Sequence, residues 1–237
     1  MQLIFACPTY GPTEPDADRS RRIAIMHAAG HGHQWLGDAS TNRVGWEAAR
    51  NNVADSAVNS NHPDEAAVFW CDSDVILPVD AITRLADNGK EFITGIYFQR
   101  RSPFRPLIAT FNGNAFHWVM RWPEGAIAPI DGCGFGCVLT SLGMLRKLQS
   151  PWFKFEKFSE DFDFCLKAQR AGYQLYVHTD VICGHLQDPA PATFEDFQRE
   201  HPQFYGGNHG IQHVGSPGDL ALPGDRKEAG SADLSAA

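Results

Sequence analysis

The chain has 237 residues, which suits one α/β domain or two small ones and is enough to bury a hydrophobic core. Its formal net charge of −8 argues against a general nucleic-acid-binding protein, which would present a basic face. No apolar run has the length of a membrane span, and the N-terminus lacks a basic stretch followed by an apolar one. The six cysteines are scattered, as buried residues of a reducing compartment are, so we expect a cytoplasmic protein without a transmembrane segment.

Strand and helix patterns alternate through the first half of the chain. Apolar runs over 2–7 and 66–71 predict buried strands, and 33–36 and 91–98 predict two further strands. Segments 16–29, 44–58 and 79–86 predict helices. The polar segment 37–42 predicts a turn, in which Ser40, Thr41 or Asn42 is suited to cap the helix over 44–58.

The second half continues this alternation. Segments 107–111 and 116–120 predict a hairpin, and a glycine-rich loop over 130–137 leads into a strand. Ser141 and Ser159 are suited to cap two helices, 173–178 and 181–183 predict short strands, and 193–199 predicts a helix. We therefore expect an α/β fold with a mainly parallel central sheet flanked by helices over 1–205. A Gly/Pro/Ala-rich tail over 206–237 is expected to be disordered.

Asp72 and Asp74 stand at the end of the strand predicted over 66–71. Two carboxylates at one edge of a sheet repel each other and lose part of their hydration, and a divalent cation offsets both effects. Mg²⁺, Mn²⁺ and Ca²⁺ all prefer carboxylate oxygens. The pair therefore indicates a candidate metal site, although the same short pattern also occurs in ordinary solvated loops.

Four features follow one another in a fixed order along residues 3–185: Pro8-Thr9-Tyr10, Asp72-Ser73-Asp74, Glu160-Asp161 and His185. This order resembles the GT-A fold glycosyltransferases, and among them the large family-2-like group that uses nucleotide sugars. The most specific part runs from 158 to 185 and is similar to that family's succession of Glu-Asp, helix, glycine, strand and histidine. Ala49-Arg50-Asn51 and the turn around Asp38 resemble two further stretches near the donor.

The resemblance implies a nucleotide-diphosphate sugar donor and a Mn²⁺ or Mg²⁺ ion held by Asp72, Asp74 and His185. A histidine nitrogen among the ligands favours Mn²⁺ over Ca²⁺. Asp161 would be the general base of an inverting, single-displacement transfer, and Glu160 would orient the acceptor. The donor-binding residues implied by motif position are Pro8, Thr9, Tyr10, Asp38, Arg50, Asp72 and Ser73.

Gly132, Gly134 and Gly136 form a G-x-G-x-G run that precedes a strand, a context that does not fit the dinucleotide fingerprint. We interpret the run as backbone that approaches the sugar or the acceptor closely. Asp131, directly before it, is suited to accept a hydrogen bond from a donor-sugar hydroxyl. Asp131 and Gly132 therefore complete the predicted donor site.

Two other functions are compatible with the pattern. A sugar-phosphate nucleotidyltransferase uses similar metal chemistry, but such enzymes carry a glycine-rich, basic N-terminal loop that residues 7–12 do not match. A non-catalytic domain of the same fold would bind a nucleotide or glycan without turnover. Arg100, Arg101 and Arg105 are either a phosphate-binding cluster or a solvated basic face. The acceptor is not identified by the sequence and can be a glycan, a protein, a small molecule or a nucleic acid.

Overall fold

The computed structural model describes residues 1–9, 11, 13–41, 43–187, 190–205 and 220–221. Strands and helices alternate along most of this length. The elements in chain order are β1 (Gln2–Pro8), α1 (Pro15–Gly30), β2 (Gln34–Thr41), α2 (Trp46–Val58), β3 (Ala67–Trp70), β4 (Val75–Ile76), α3 (Ala81–Ala86), β5 (Phe92–Ile96), β6 (Ile108–Phe111), β7 (Phe116–Arg121), β8 (Ile127–Ile130), β9 (Gly132–Cys133), β10 (Val138–Ser141), α4 (Leu142–Leu148), α5 (Glu160–Arg170), β11 (Leu175–Ile182), β12 (Gly184–His185), α6 (Phe194–Glu200), α7 (Pro202–Tyr205) and β13 (Leu220–Ala221).

The central sheet has seven strands in the order β2-β1-β3-β10-β5-β11-β8. β1 is parallel to β2 and β3, and β5 is parallel to β11. β10 is antiparallel to both of its neighbours, β3 and β5, so those two strands point the same way. Five strands therefore run in one direction, whereas β10 and the edge strand β8 run in the other. The predicted α/β fold with a mainly parallel sheet is confirmed.

Helices cover both faces of the sheet. One core cluster joins Val68 and Trp70 of β3 to α2, α4 and α5, and the other joins Phe69 to α1 and α3. Because both faces of β3 are covered, its sequence is a continuous apolar run instead of an alternating one. Trp70 Nε1 donates to Thr140 Oγ1 on β10 at 2.9 Å, so the buried indole N–H has a partner. This packing fixes the end of β3, where Asp72 follows.

The turn predicted over 37–42 is wrong for the described residues up to Thr41, because they extend strand β2. Leu3 pairs with Trp35 and Ile4 pairs with Gly37, so Leu36 is the extra residue of a bulge. β2 lies at the edge of the sheet, where exposed polar residues are tolerated and the backbone of β1 supplies the hydrogen bonds. The N-cap of α2 is Gly45 instead of Ser40 or Thr41, and Asn42 lies outside the described residues.

The structure also differs from the sequence prediction at two strands in the second half of the chain. β11 is one continuous strand, although 173–178 and 181–183 predicted two short ones, and its pairing with β5 is irregular between Val177 and Ile182. Strand β8 was not predicted, because a four-residue segment containing Pro129 has a weak strand pattern. Proline lacks a backbone N–H and is accommodated here because β8 ends the sheet.

The helix caps predicted at Ser141 and Ser159 are present. Ser141 Oγ accepts from Met144 N at 3.0 Å, and Ser159 Oγ accepts from Phe162 N at 3.4 Å, which satisfies one free N–H group of each helix. The hairpin between β6 and β7 also forms as predicted. The tail predicted over 206–237 lies outside the described residues apart from Leu220–Ala221, which pairs with β7. In the part of the chain that the structure describes, every helix is too short or too polar to cross a membrane.

Candidate active site

A cavity of about 450 Å³ opens where β1 and β3 end and where α2 and α5 begin. Ligands of open α/β sheets bind at this edge, because the carboxyl ends of parallel strands and the N-termini of helices meet there. The residues that line the cavity are Pro8, Thr9, Gly11, Val44, Trp46, Ala49, Arg50, Asp72, Ser73, Asp74, Arg100, Ser159, Glu160, Asp161 and His185. Four carboxylates and two guanidinium groups give the wall an excess of negative charge.

Arg50 is the centre of the acidic side of this cavity. Its Nη1 lies 2.6 Å from Glu160 Oε1 and 2.6 Å from Asp161 Oδ1, and its Nη2 lies 3.0 Å from Asp72 Oδ1. The guanidinium group also packs against the ring of Phe135, 5.7 Å from its centroid. Burial alone would lower the pKa of Arg50, but the surrounding carboxylates, Asp161 first, raise it. Arg50 therefore stays charged and ties α2 to the end of β3 and the start of α5.

Asp161 differs from Glu160 and Asp72 in that one of its oxygens has no hydrogen bond. Its Oδ2 accepts from Phe135 N at 3.3 Å, whereas its Oδ1 is buried without a hydrogen bond. Arg50 Nη1 lies near Oδ1, but its hydrogen bond goes to Glu160. Burial raises the pKa of Asp161 to about 7, and Glu160 and Asp72 add to this rise, while Arg50 opposes it. Asp161 is thus able to accept a proton near neutral pH.

A second cluster at the cavity consists of Asp74, Arg100 and His185. His185 Nδ1 lies 2.6 Å from the carbonyl oxygen of Phe98, so we assign its proton to Nδ1. The lone pair of Nε2 then accepts from Arg100 Nε at 3.0 Å. Arg100 also pairs with Asp74, whose Oδ1 lies 3.6 Å from His185 Nε2. Burial lowers the pKa of His185, which favours the neutral imidazole.

The two carboxylates that were expected to share a metal ion contact different guanidinium groups, Asp72 that of Arg50 and Asp74 that of Arg100. Among the described residues, no three His, Cys, Asp or Glu side chains converge as a metal site. Asp74 and His185 still offer a carboxylate oxygen and an imidazole nitrogen to one guanidinium group. This donor pair fits Mn²⁺ or Mg²⁺ where substrate oxygens complete the coordination.

The structure places some of the predicted donor-binding residues at the cavity and others away from it. Those at the cavity wall are Pro8, Thr9, Arg50, Asp72 and Ser73. Thr9 is fixed there because its backbone N–H donates to the carbonyl oxygen of Thr41 at 3.1 Å. Asp38 lies on β2, is exposed and does not line this cavity, so the structure does not support its inclusion. Tyr10 lies outside the described residues.

Asp131 and Gly132 are not brought to the cavity either. Asp131 Oδ2 accepts from Phe111 N at 2.8 Å and its Oδ1 accepts from Gln169 Nε2 at 2.6 Å, so both oxygens hold protein elements together. A Cβ atom at Gly132 would lie 2.6 Å from the ring of Phe116 and 2.8 Å from that of Phe162. The glycine is therefore required by packed protein rings instead of by a substrate.

The rest of the glycine run makes room for a tyrosine that sequence reasoning did not single out. A Cβ atom at Gly134 would lie 2.1 Å from the hydroxyl oxygen of Tyr97, and one at Gly136 would lie 2.7 Å from its ring. The Tyr97 hydroxyl accepts from Gly136 N at 3.1 Å, and its ring lies edge-on to His185. Tyr97 follows β5, whose parallel neighbour β11 leads to His185. The sequence alone carries no signal for Tyr97, because only the pairing of β5 with β11 brings it next to His185.

The fold is similar to that of several solved structures, whereas no protein-family model and no curated protein matches the sequence. The crystal structure of A197 from STIV aligns with a TM-score of 0.55 and 16% identity, over 79% of this chain and 87% of A197. A UDP-glucose pyrophosphorylase in complex with UDP-glucose has a TM-score of 0.48 and 10% identity, over 86% of this chain and 99% of its own. The cytidylyltransferase IspD of Francisella tularensis has a TM-score of 0.40 and 11% identity, over 86% and 100%.

The similarity to A197 supports the fold alone at this level of identity. The resemblance to the family-2-like glycosyltransferases is not confirmed, because no family model matches. The activities named for the other two structures are nucleotidyl transfers, which correspond to the second hypothesis from the sequence. Their TM-scores are below 0.5, so the choice between the two reactions depends on the chemistry of the cavity.

Proposed function

We propose that the protein transfers a sugar from a nucleoside-diphosphate donor to an acceptor hydroxyl, with Asp161 as the general base. The observation that carries this proposal is the buried Oδ1 of Asp161, which has no hydrogen bond and belongs to a carboxyl with a pKa raised to about 7. A hydroxyl nucleophile must lose a proton as it attacks, and a carboxylate of this kind accepts it near neutral pH.

The cluster of Asp74, Arg100 and His185 is the proposed site of the diphosphate. A divalent cation bound by Asp74 and His185 would stabilise the charge that develops on the leaving phosphates. Arg100 is 55% exposed, and in this proposal its side chain moves from Asp74 to a phosphate oxygen. Burial favours the neutral form of His185, and its bond to the carbonyl oxygen of Phe98 orients the ring, which leaves Nε2 as an acceptor or ligand atom.

A single displacement agrees with how the acids are held. Arg50 donates hydrogen bonds to Asp72 and Glu160, whereas Asp161 Oδ1 has no hydrogen bond and only an ion-pair contact with Arg50 Nη1 at 2.6 Å. In this mechanism the acceptor oxygen attacks the anomeric carbon and its proton passes to Asp161. The bond to the diphosphate breaks, its electron pair leaves with the phosphate oxygen, and the configuration at the anomeric carbon is inverted.

Nucleotidyl transfer is the second candidate. Arg100 at the cavity, with Arg101 and Arg105 following in sequence, is suited to an extended triphosphate chain. The attacking group in that reaction is a sugar phosphate, which is already ionised and requires no general base. A carboxylate with the properties of Asp161 therefore favours glycosyl transfer. The two reactions are distinguished by their products, a nucleoside diphosphate in one case and pyrophosphate in the other.

The donor is tested with a thermal-shift panel of UDP, GDP, CDP and TDP and their sugars, with and without Mn²⁺. A ligand that binds only the folded protein raises Tm by mass action. We expect a shift for one base that depends on Mn²⁺ and is lost in Asp74→Asn, together with release of that nucleoside diphosphate from its sugar. Pyrophosphate release from a nucleoside triphosphate and a sugar phosphate would replace glycosyl by nucleotidyl transfer. A folded protein that binds none of these nucleotides would contradict both.

The pH dependence of transfer is set by Asp161. The base acts only in its ionised form, and its pKa is raised to about 7. We expect kcat/KM for the acceptor to fall about tenfold per pH unit below pH 7 and to level off above it. The measurement is an initial-rate profile between about pH 5.5 and about pH 8.5 at saturating donor. A rate that stays constant across this interval would contradict the role of Asp161 as the base.

A further inference from the structure

An open groove of about 420 Å³ next to the cavity is bordered by Trp46 and Phe155. Trp46 is 71% exposed and Phe155 is 62% exposed, and they are the aromatic members of the exposed large apolar side chains among the residues described. Rings held in water contribute little to the core. A concave surface with such rings is therefore a candidate binding site.

The groove is continuous with the proposed active site. Trp46 and Glu160 line both the groove and the cavity. Asp74, Arg100 and His185 line the cavity but not the groove. A molecule in the groove would thus reach Glu160 and its neighbour Asp161 from the side that lacks the diphosphate cluster. In a transfer reaction between two substrates, the acceptor hydroxyl must lie next to both the base and the anomeric carbon of the donor, which agrees with two binding sites on opposite sides of Asp161.

The loop that carries Phe155 is held on both sides of the ring. On one side, Asn51 Nδ2 donates to the carbonyl oxygen of Phe153 at 2.6 Å and Asn51 Oδ1 accepts from Phe153 N at 3.0 Å. On the other, Asp163 Oδ2 accepts from the backbone N–H groups of Glu156, Lys157 and Phe158 at 2.7, 2.8 and 3.1 Å. Glu47 Oε1 accepts from the N–H of Phe155 itself. The backbone that presents the Phe155 ring is therefore held in place before any ligand arrives, which lowers the entropic cost of binding.

The chemistry of the groove favours a neutral, hydroxyl-rich ligand. Its described lining consists of two aromatic rings, the carboxylates of Glu47 and Glu160, and small residues, without a cationic side chain. Carboxylates repel phosphorylated or carboxylated ligands and accept hydrogen bonds from hydroxyl groups. An aromatic face packs well against the C–H face of a sugar ring.

We propose that the groove formed by Trp46 and Phe155 is the acceptor subsite, and that the acceptor is a neutral sugar ring. This proposal rests on the proposed function, in which Asp161 deprotonates the acceptor. The ring lies on the aromatic side chains, and one of its hydroxyls points to the carboxylates at the start of α5. Its oxygen forms the new bond to the anomeric carbon, its proton passes to Asp161, and the nucleoside diphosphate leaves.

The test uses Phe155→Ala and Trp46→Ala, with Trp46→Phe as the variant that keeps a ring and Val79→Ala as an exposed control outside both sites. Acceptors are methyl glycosides of common neutral hexoses, compared with the corresponding hexose 6-phosphates. We expect KM for the best methyl glycoside to rise about tenfold or more in the two alanine variants and to change little in Trp46→Phe. Val79→Ala should match the unaltered protein both in KM for the acceptor and in the rate of donor hydrolysis.

Three outcomes would overturn the acceptor proposal while leaving glycosyl transfer intact. These are an unchanged KM in both alanine variants, use of the hexose 6-phosphates alone, and an equal loss of donor affinity in Phe155→Ala, which would assign the rings to the nucleobase. If the protein binds and hydrolyses no nucleotide sugar, the proposed function fails separately. Quenching of tryptophan fluorescence by methyl glycosides, lost in Trp46→Phe, then still tests the groove as a sugar site, and its absence would overturn it.

Discussion

Replacement of Asp161 by Asn is expected to lower kcat for sugar transfer by about 10²- to 10⁴-fold, the range for loss of a general base. The carboxyl has a pKa raised to about 7 and an oxygen, Oδ1, that is buried without a hydrogen bond. An amide has nearly the same shape but cannot accept the acceptor proton at these pH values. Donor affinity should stay close to that of the unaltered protein, because the diphosphate is held by the cluster around Asp74.

The folded state should tolerate this substitution above neutral pH. The pKa of Asp161 is raised from 3.8 to about 7 in the folded protein, so ionisation of this carboxyl opposes folding. Its contribution to stability is fully present below the unfolded pKa and is lost as the pH rises through about 7. Asn carries no charge in this interval. At pH 8 the Tm of Asp161→Asn should therefore not be lower than that of the unaltered protein.

Asp38→Asn is the matched control for Asp161→Asn. Asp38 lies on β2, and partial loss of hydration also raises the pKa of its carboxyl, but it does not line the cavity. We expect its kcat and KM to remain within about twofold of the unaltered protein. If Asp161→Asn kept its turnover, or if Asp38→Asn lost as much activity as Asp161→Asn, Asp161 would not be the base.

Local patterns predicted most of the elements that position the site. Strand β3 can be predicted from its apolar run, because it is buried on both faces. The start of α5 can be predicted from its cap, Ser159. Strand β2 was partly missed, because its polar residues are stabilised by the backbone of β1, which is 32 residues away along the chain. Such pairing leaves no trace in the local composition of 37–41.

The pairing of charges could not be predicted from spacing. Asp72 and Asp74 suggested one shared cation, but Asp72 faces Arg50 and Asp74 faces Arg100. Arg50 is separated from Glu160 by 110 residues, so only the folded chain brings its guanidinium group between α5 and β3. The glycine run was likewise misread, because the bulky neighbour that requires it, Tyr97, is contributed by a different strand. Long-range packing decided each of these cases.

Arg50→Met is expected to destabilise the protein by about 3–5 kcal/mol, the usual result of removing one partner from a buried charge network. The side chain of Arg50 is 7% exposed and faces three carboxylates, Asp72, Glu160 and Asp161. Methionine fills much of the same volume but supplies no charge, so those acids repel one another without compensation. The measurement is the free energy of unfolding by urea at pH 8 and again near pH 5. The deficit should shrink at the lower pH, because protonation of the carboxyls relieves the repulsion.

Arg84→Met is the exposed counterpart of Arg50→Met. Arg84 also lies between two carboxylates, 2.5 Å from Asp80 Oδ2 and 3.6 Å from Asp180 Oδ2, but its side chain is 42% exposed. Solvent screens such pairs, so its loss should cost less than about 1 kcal/mol. If Arg50→Met does not fold, Arg50→Lys keeps the charge without the planar fork and should fall between the two. Equal losses in Arg50→Met and Arg84→Met, or a deficit that does not change with pH, would mean that the cluster around Arg50 contributes no special stability.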